Sequence, residues 1–298
     1  MIKGEAIQPI IVLGMHRSGS SLLVRILQEL GVFMGNDLEE NNESMFFNKI
    51  NDWMLLQAGA SWDNPENFNY ISNDFKGLMA EITENRLNSI HLKRYMGSSK
   101  RSIKNAQFTW GWKDPRNTFT IDVWKAIFPE ARIIHIYRNP VDVVNSLIKR
   151  ETSIISVTGN PTKTGLKKKF YGLNLPRERL FYHSFKSLDK QAVFSMWKQY
   201  VEKALRLKEE KDILSISYEN LLENPEIEMG RIAGFCGMKT KSKADGNFLE
   251  SFDKTRKYAF TYENELMEFY ETIKDDGLVL ELGYGSIGIV KKNKNTTK

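Results

Sequence analysis

Cys236 is the only cysteine among the 298 residues. No intrachain disulfide can form, so the fold rests on its core and asks for no oxidising compartment. With four histidines scattered along the chain there is also no metal-ligand spacing, and no metal site is expected. No window approaches about 18 consecutive apolar residues, which argues against a membrane-spanning helix. The apolar run in "MIKGEAIQPIIVLG" is too short for a signal peptide, and a cytoplasmic protein is expected. Eight prolines leave no room for a long disordered linker, and no internal repeat is visible.

What is present suits a soluble globular protein: 41% hydrophobic and 27% charged residues, in a chain long enough for one large α/β core. Residues 1–290 are expected to form a single domain. Lys and Arg number 43 against 37 Asp and Glu, with part of the excess in "VKKNKNTTK", so residues 291–298 read as a solvated basic tail. This balance suits an anionic ligand. Charge alone would also permit nucleic acid, but the motifs below point to a nucleotide, and no nucleic-acid partner is expected.

"PIIVLG" (9–14) is a β-branched run ending at glycine, and "SLLVRILQELG" after it has helical spacing with a stop at Gly31. "ARIIHIYRNP" (131–140) repeats the plan, with Asn139 as helix cap and Pro140 opening "VDVVNSLIKR". Further strands are expected at 212–218 and 108–113, and further helices at 45–58 and 76–95. Strands alternating with helices predict a three-layer α/β/α fold of the P-loop type, with a central, mostly parallel sheet and helical insertions. Residues 153–176, rich in Gly, Thr, Pro and Lys, read as a long surface loop.

"GMHRSGSSLL" (14–23) places two glycines four residues apart between that strand and helix. Such a turn directs backbone N–H groups into one concavity at the positive end of a helix dipole, a place for an anion. Nucleotide triphosphatases carry a lysine after the second glycine to meet the β and γ phosphates. Here Ser20 stands there and the cation, Arg17, precedes Gly19, which fits one or two phosphate oxygens and no metal. His16, Arg17, Ser18, Gly19, Ser20 and Ser21 are the candidate ligands. In "YRNPVDVVNSL", Arg138 and Ser146 lie eight residues apart, two helical turns, with Asp142 between them on one face. An arginine and a hydroxyl so placed can clamp a second phosphate.

In this combination the sequence resembles the sulfotransferases. "GMHRSGSSLL" is similar to their 5′-phosphosulfate loop and "YRNPVDVVNSL" to their 3′-phosphate motif, while "WGWKDPR" (110–116) and "ISYENLLENP" (216–225) recur in the same order in the bacterial, carbohydrate-type branch. The resemblance spans roughly residues 8–240. It implies 3′-phosphoadenosine 5′-phosphosulfate (PAPS) as cofactor, no metal, and a hydroxyl acceptor, a glycan or glycolipid. It also implies that Tyr218 contacts adenine, although a core role for that tyrosine stays open. Two family elements are missing. The Arg-Lys-Gly element near the C-terminus of cytosolic relatives is absent, with Arg256 in "DKTRKYAF" a possible substitute, and Asp114 follows Lys113 where that branch has its histidine base.

Lys113, at a strand end, can stabilise charge on the bridging oxygen as the sulfuryl group leaves. With Arg17 it joins the catalytic candidates. An alcohol needs a base, and the resemblance implies a glutamate in the segment after the phosphate-loop helix, here "NDLEENNESMFF", where Glu43 is chosen over Glu39 and Glu40 because it adjoins the start of a helix; a capping role for it stays open, and Asp114 is the competing base. Asp114 and Arg116 also read as an ion pair orienting their turn. Phe46, Phe47 and Trp53 share one helix and read first as core, with acceptor stacking as the sharper alternative. His135 reads as core, and His91 and His183 have no evident partner. Lys167, Lys168 and Lys169 form a charge run, read as a solvated face, with a lid over the nucleotide or a contact to an acidic acceptor as the sharper alternative. Residues 36–105 and 153–190 are the expected acceptor-side insertions. A kinase-like nucleotide enzyme and a catalytically silent nucleotide-binding protein are the rival readings.

Overall fold

The computed structural model describes residues 7–97, 103, 106–158, 184–207, 212–238 and 246–288. Strands β1 (Ile10–Leu13), β2 (Gly111–Lys113), β3 (Arg132–Tyr137) and β4 (Ile213–Ser217) form a four-stranded sheet in the order β2-β1-β3-β4. Every pairing is parallel, with Val12 opposite Lys113 on one side and Ile134 on the other. Parallel neighbours require crossovers, and helices supply them. Helices α1 (Ser20–Glu29), α2 (Met45–Gln57), α3 (Asn73–Leu87) and α4 (Leu92–Met96) lie between β1 and β2, and α5 (Asn117–Ile127) joins β2 to β3. Helices α6 (Pro140–Thr158) and α7 (Lys190–Arg206) lie between β3 and β4. After β4 come α8 (Tyr218–Glu223), α9 (Pro225–Phe235), α10 (Gly246–Glu250), α11 (Asn264–Ile273) and α12 (Gly277–Glu281).

Alternation along the strands divides the core in two. Ile10, Val12, Ile134 and Ile136 pack with Leu23, Ile26 and Leu27 of α1 and Ile232 of α9. Ile11, Leu13 and Ile133 face the other way, onto a layer that includes Phe47, Trp112, Trp124 and Trp197. Phe47 lies flat on Trp112, with ring centroids 4.1 Å apart and planes 5° apart. The α/β/α layering is therefore present, its sheet wholly parallel among the described residues.

Several expected boundaries shift. The single helix expected over 76–95 is two: α3 begins at Asn73, capped by Ser72, and ends at Leu87, and α4 starts at Leu92 after a turn at 88–91. Helix α6 runs to Thr158, so residues 153–158 are helical where a surface loop was expected, and 159–176 lie outside the described residues. Lys167, Lys168, Lys169, His183 and the tail 291–298 also lie outside them. Because all four strands run the same way, their carboxyl ends share one edge, the edge where open α/β sheets place ligands.

Candidate active site

Beyond β1 the chain turns through residues 14–19 into α1. Gly14 (φ 141°) and Gly19 (φ 91°) hold conformations that side chains resist: a Cβ would stand 2.3 Å from the Ile136 carbonyl oxygen at Gly14 and 2.1 Å from the Tyr218 ring at Gly19. Arg17, at φ 69°, shares that left-handed region without glycine's freedom, a strain of the kind that clusters at functional sites. Gly19 is the N-cap of α1, so the helix's positive end opens beside the loop.

Arg138 follows β3. Its Nη2 donates to the Arg256 carbonyl at 2.7 Å and pairs with Asp142 at 3.1 Å, and its guanidinium lies over the Tyr218 ring at 4.6 Å. Its Nε is buried and has no partner among the described residues. Asp142 is fixed in turn by Asn139, which caps α6 by accepting from the Asp142 N–H at 2.9 Å and donates to the carboxylate at 2.8 Å. Ser146 lies two turns along α6, and Arg17 Nε donates to its Oγ at 2.8 Å. One hydrogen bond thus joins the loop after β1 to the helix after β3.

Lys113, the last residue of β2, is buried, and its Nζ donates to the Asn41 carbonyl at 2.6 Å and to Glu43 Oε1 at 3.0 Å. Glu43 Oε2 accepts from Asn48 at 3.1 Å and lies 3.7 Å from Arg116. Burial pushes the Glu43 carboxyl above its ordinary range, with Lys113 opposing the shift and Asp114 adding to it. Burial likewise draws the Lys113 ammonium down, against the pull of Glu43. The capping role left open for Glu43 is filled by others: Ser44 accepts from the Phe47 N–H and Asp37 from the Phe46 N–H. Glu39 and Glu40 are exposed.

A cleft enclosing about 640 Å³, solvent at its mouth included, gathers these groups; its lining includes Arg17, Lys113, Arg138, Ser146, Arg150 and Arg256, with Glu43 the one carboxylate. Such a surface is built for a polyanion. Across residues 9–242 the sequence matches the family model described as the sulfotransferase family. The chain belongs to this family.

Solved structures similar to this sulfotransferase include three low-identity neighbours. One is the sulfotransferase domain from the curacin biosynthetic pathway, with 14% identity over 91% of this chain and 98% of that one at a TM-score of 0.48. The sulfotransferase from Alicyclobacillus acidocaldarius shows 14% identity over 95% and 98%, TM-score 0.43. Sulfotransferase STF9 from Mycobacterium avium shows 14% over 90% and 77%, TM-score 0.41. No curated protein is significantly similar in sequence. As a sulfotransferase the chain transfers a sulfuryl group to a hydroxyl-bearing acceptor.

Most residues singled out in the sequence meet in the cleft: His16, Arg17, Gly19, Ser20, Ser21, Glu43, Lys113, Arg138, Ser146 and Tyr218 line it. Ser18 is fully buried beneath the loop, its hydroxyl without a partner among the described residues. Asp114 is not on the lining. It is fully buried, with Oδ1 held by the Arg116 backbone N–H and Nε at 2.9 and 2.8 Å and Oδ2 by Asn51 at 2.9 Å. Arg116 also pairs with Asp52, which makes this turn the orienting ion pair. Burial, then Arg150, Arg116, Lys113 and Arg17, hold the His16 pKa well below the usual value. Phe46 and Phe47 are core, Trp53 is half-buried on α2, and His135 is buried in β3.

Arg150 was not legible in the sequence, although it continues the row Arg138, Asp142, Ser146 by one more turn of α6. Its guanidinium lies 5.4 Å from the centre of the Trp62 ring, and Glu151 holds it at 2.6 Å. Trp62 also meets the His16 ring edge-on at 4.8 Å. Among the described residues no group of three or more His, Cys, Asp or Glu is arranged to hold a metal, and no helix is long and apolar enough to cross a membrane.

Proposed function

We propose that this sulfotransferase uses PAPS and transfers its sulfuryl group to a carbohydrate hydroxyl, as a metal-free, single-domain cytoplasmic enzyme. The observation that carries the reading is the 2.8 Å bond from Arg17 Nε to Ser146 Oγ, which draws two anion sites into one cleft. Fit is supported by the unpartnered, buried Arg138 Nε, by the unpartnered Ser18 hydroxyl beneath the loop, and by the close seat of Gly19 on Tyr218. When bound, PAPS supplies a sulfuryl group activated by its phosphate leaving group.

Arg17, Gly19, Ser20 and Ser21 hold the 5′ end through side chains and loop amides, with the α1 dipole behind them. Arg138, Ser146 and Arg256 hold the 3′-phosphate, Arg256 taking the place of the absent C-terminal element, and Tyr218 backs the adenosine. Lys113 meets negative charge on the bridging oxygen. Glu43 takes the proton of the acceptor hydroxyl, and Asp114 serves as a positioning residue that fixes Arg116 beside Glu43. His16 contributes a hydrogen bond to the 5′ end. Trp62 packs His16 and Arg150 together beside the cleft, and the carbohydrate acceptor is proposed on the sequence resemblance alone.

The test is incubation with sulfate-labelled PAPS and a panel of sugars, glycolipids and phenols. Label is expected in sugar products with wild type and none with Lys113→Ala. Label reaching only phenols would remove the carbohydrate assignment, and nucleotide binding without transfer to any hydroxyl would make the protein a silent binder.

A further inference from the structure

Helices α2, α3 and α4 form a face whose outer side chains nothing in the transfer chemistry uses. Phe75, Leu78 and Ile82 follow one another at helical spacing along α3 and are 62%, 50% and 43% exposed, and Ile90 in the turn to α4 is 69% exposed. A half-exposed row of Phe, Leu and Ile is not what a helix facing only water carries. Arg86 continues the same row one turn on. It borders a groove of two adjoining cavities between α2 and α3, one walled by Ile50, Trp53 and Ile82 and the other by Met45, His91 and Arg94, with Lys49 and Arg86 common to both. Among the described residues no carboxylate lines the groove. Neither Lys49, Arg86 nor Arg94 has an ion-pair partner among the described residues.

Apolar side chains in a row beside unneutralised cations are the signature of attachment to a lipid surface: the former enter the headgroup boundary and the latter meet negative headgroups. We propose that the α2–α3–α4 face docks on a lipid bilayer carrying negatively charged headgroups. Charge complementarity argues for this occupant, since Lys49, Arg86 and Arg94 all carry the sign that negative headgroups attract. Position gives the docking a use. Met45, on the groove, lies two residues from Glu43, on the cleft, so their Cα atoms are at most about 7 Å apart. Docking would hold the cleft close to headgroup hydroxyls.

The experiment is co-sedimentation of the full chain with vesicles of equal parts phosphatidylglycerol and phosphatidylcholine, or of phosphatidylcholine alone. Binding to the anionic vesicles is expected, weakening as salt rises, with much less on the neutral ones. The double variants Phe75→Ser/Ile82→Ser and Arg86→Glu/Arg94→Glu should each lower the affinity about tenfold or more. Both should keep the wild-type melting temperature and the wild-type response to nucleotide, so failure here is distinguishable from failure of the cofactor assignment. Equal binding to both vesicle types, no binding, or variants that bind like wild type would overturn the proposal. A concentration-dependent dimer in ultracentrifugation that Phe75→Ser/Ile82→Ser abolishes would overturn it too, and would give the face to a second copy.

Discussion

Glu43 and Lys113 face each other at 3.0 Å in a buried pocket, and burial acts on them in opposite directions, raising the carboxyl and lowering the ammonium. The proposed base must be ionised to accept a proton. A raised pKa keeps Glu43 protonated to higher pH than a free glutamate, so turnover should rise through a step above the usual range of about 4.3 and be lost as pH falls through it. The lowered Lys113 pKa should bring the alkaline fall below the usual lysine value of about 10.4. Glu43→Gln is expected to remove the acid step, cost about 10²- to 10⁴-fold in turnover, and leave nucleotide affinity unchanged. A Gln variant with normal turnover, beside an inactive Asp114→Asn that still binds nucleotide, would move the role to Asp114. At this scale the motif residues were legible because loop spacing and strand ends constrain them. Arg150 was not, because its place in the cleft depends on Trp62 and His16 coming beside α6 in the fold, and the state of His16 depends on cations from three other elements.

Between α2 and α5 lies a polar network in an otherwise apolar layer. Asn51 donates to Asp114 and to Asn117 at 2.9 and 2.8 Å, and accepts from Thr120 and Trp124, each at 2.8 Å. Asn117 in turn donates to the Val12 carbonyl at 2.9 Å, which ties both helices to β1. Asn51→Ala strands the Trp124 N–H and takes a donor from the buried Asp114. At about 1–3 kcal/mol for each stranded group, a loss of roughly 2–5 kcal/mol is expected, read as a lower urea midpoint at unchanged slope. A loss below about 1 kcal/mol would show that the network relaxes around the gap. The same burial explains why α5 was missed. Asn117, Thr118 and Thr120 are buried together with Phe119, Ile121, Val123 and Trp124, so in the first turns polar residues do not mark the solvent side and the apolar spacing is blurred. Helix α1 was legible because its apolar residues recur at helical spacing between two glycines, and β1 and β3 because their β-branched runs end in turn signals. The break between α3 and α4 falls at Asn88, Ser89, Ile90 and His91, where Asn88 and Ser89 are a turn signal that the apolar spacing on either side outweighed.

Over the whole molecule, the four strand ends bring residues from Gly14 to Arg256 to one edge and concentrate positive charge there. Burial, then Arg150, Arg138 and Arg256, lower the Arg17 pKa, as crowded like charges do. The parallel α/β order followed from the alternation of strand and helix signals, whereas the closure of the cleft by Arg256 depends on a segment with no periodic pattern. A ligand that binds the native state stabilises it by mass action, about 2.7 kcal/mol at a hundredfold excess over Kd, or a shift of about 5 °C in Tm. The most direct test is therefore a melting curve with nucleotide in the absence of Mg²⁺. The account predicts that 3′-phosphoadenosine 5′-phosphate raises Tm by about that amount and that adenosine 5′-phosphate, without the 3′ group that Arg138 and Ser146 would hold, raises it far less. Equal shifts from the two nucleotides, or a shift only from ATP with Mg²⁺, would contradict it.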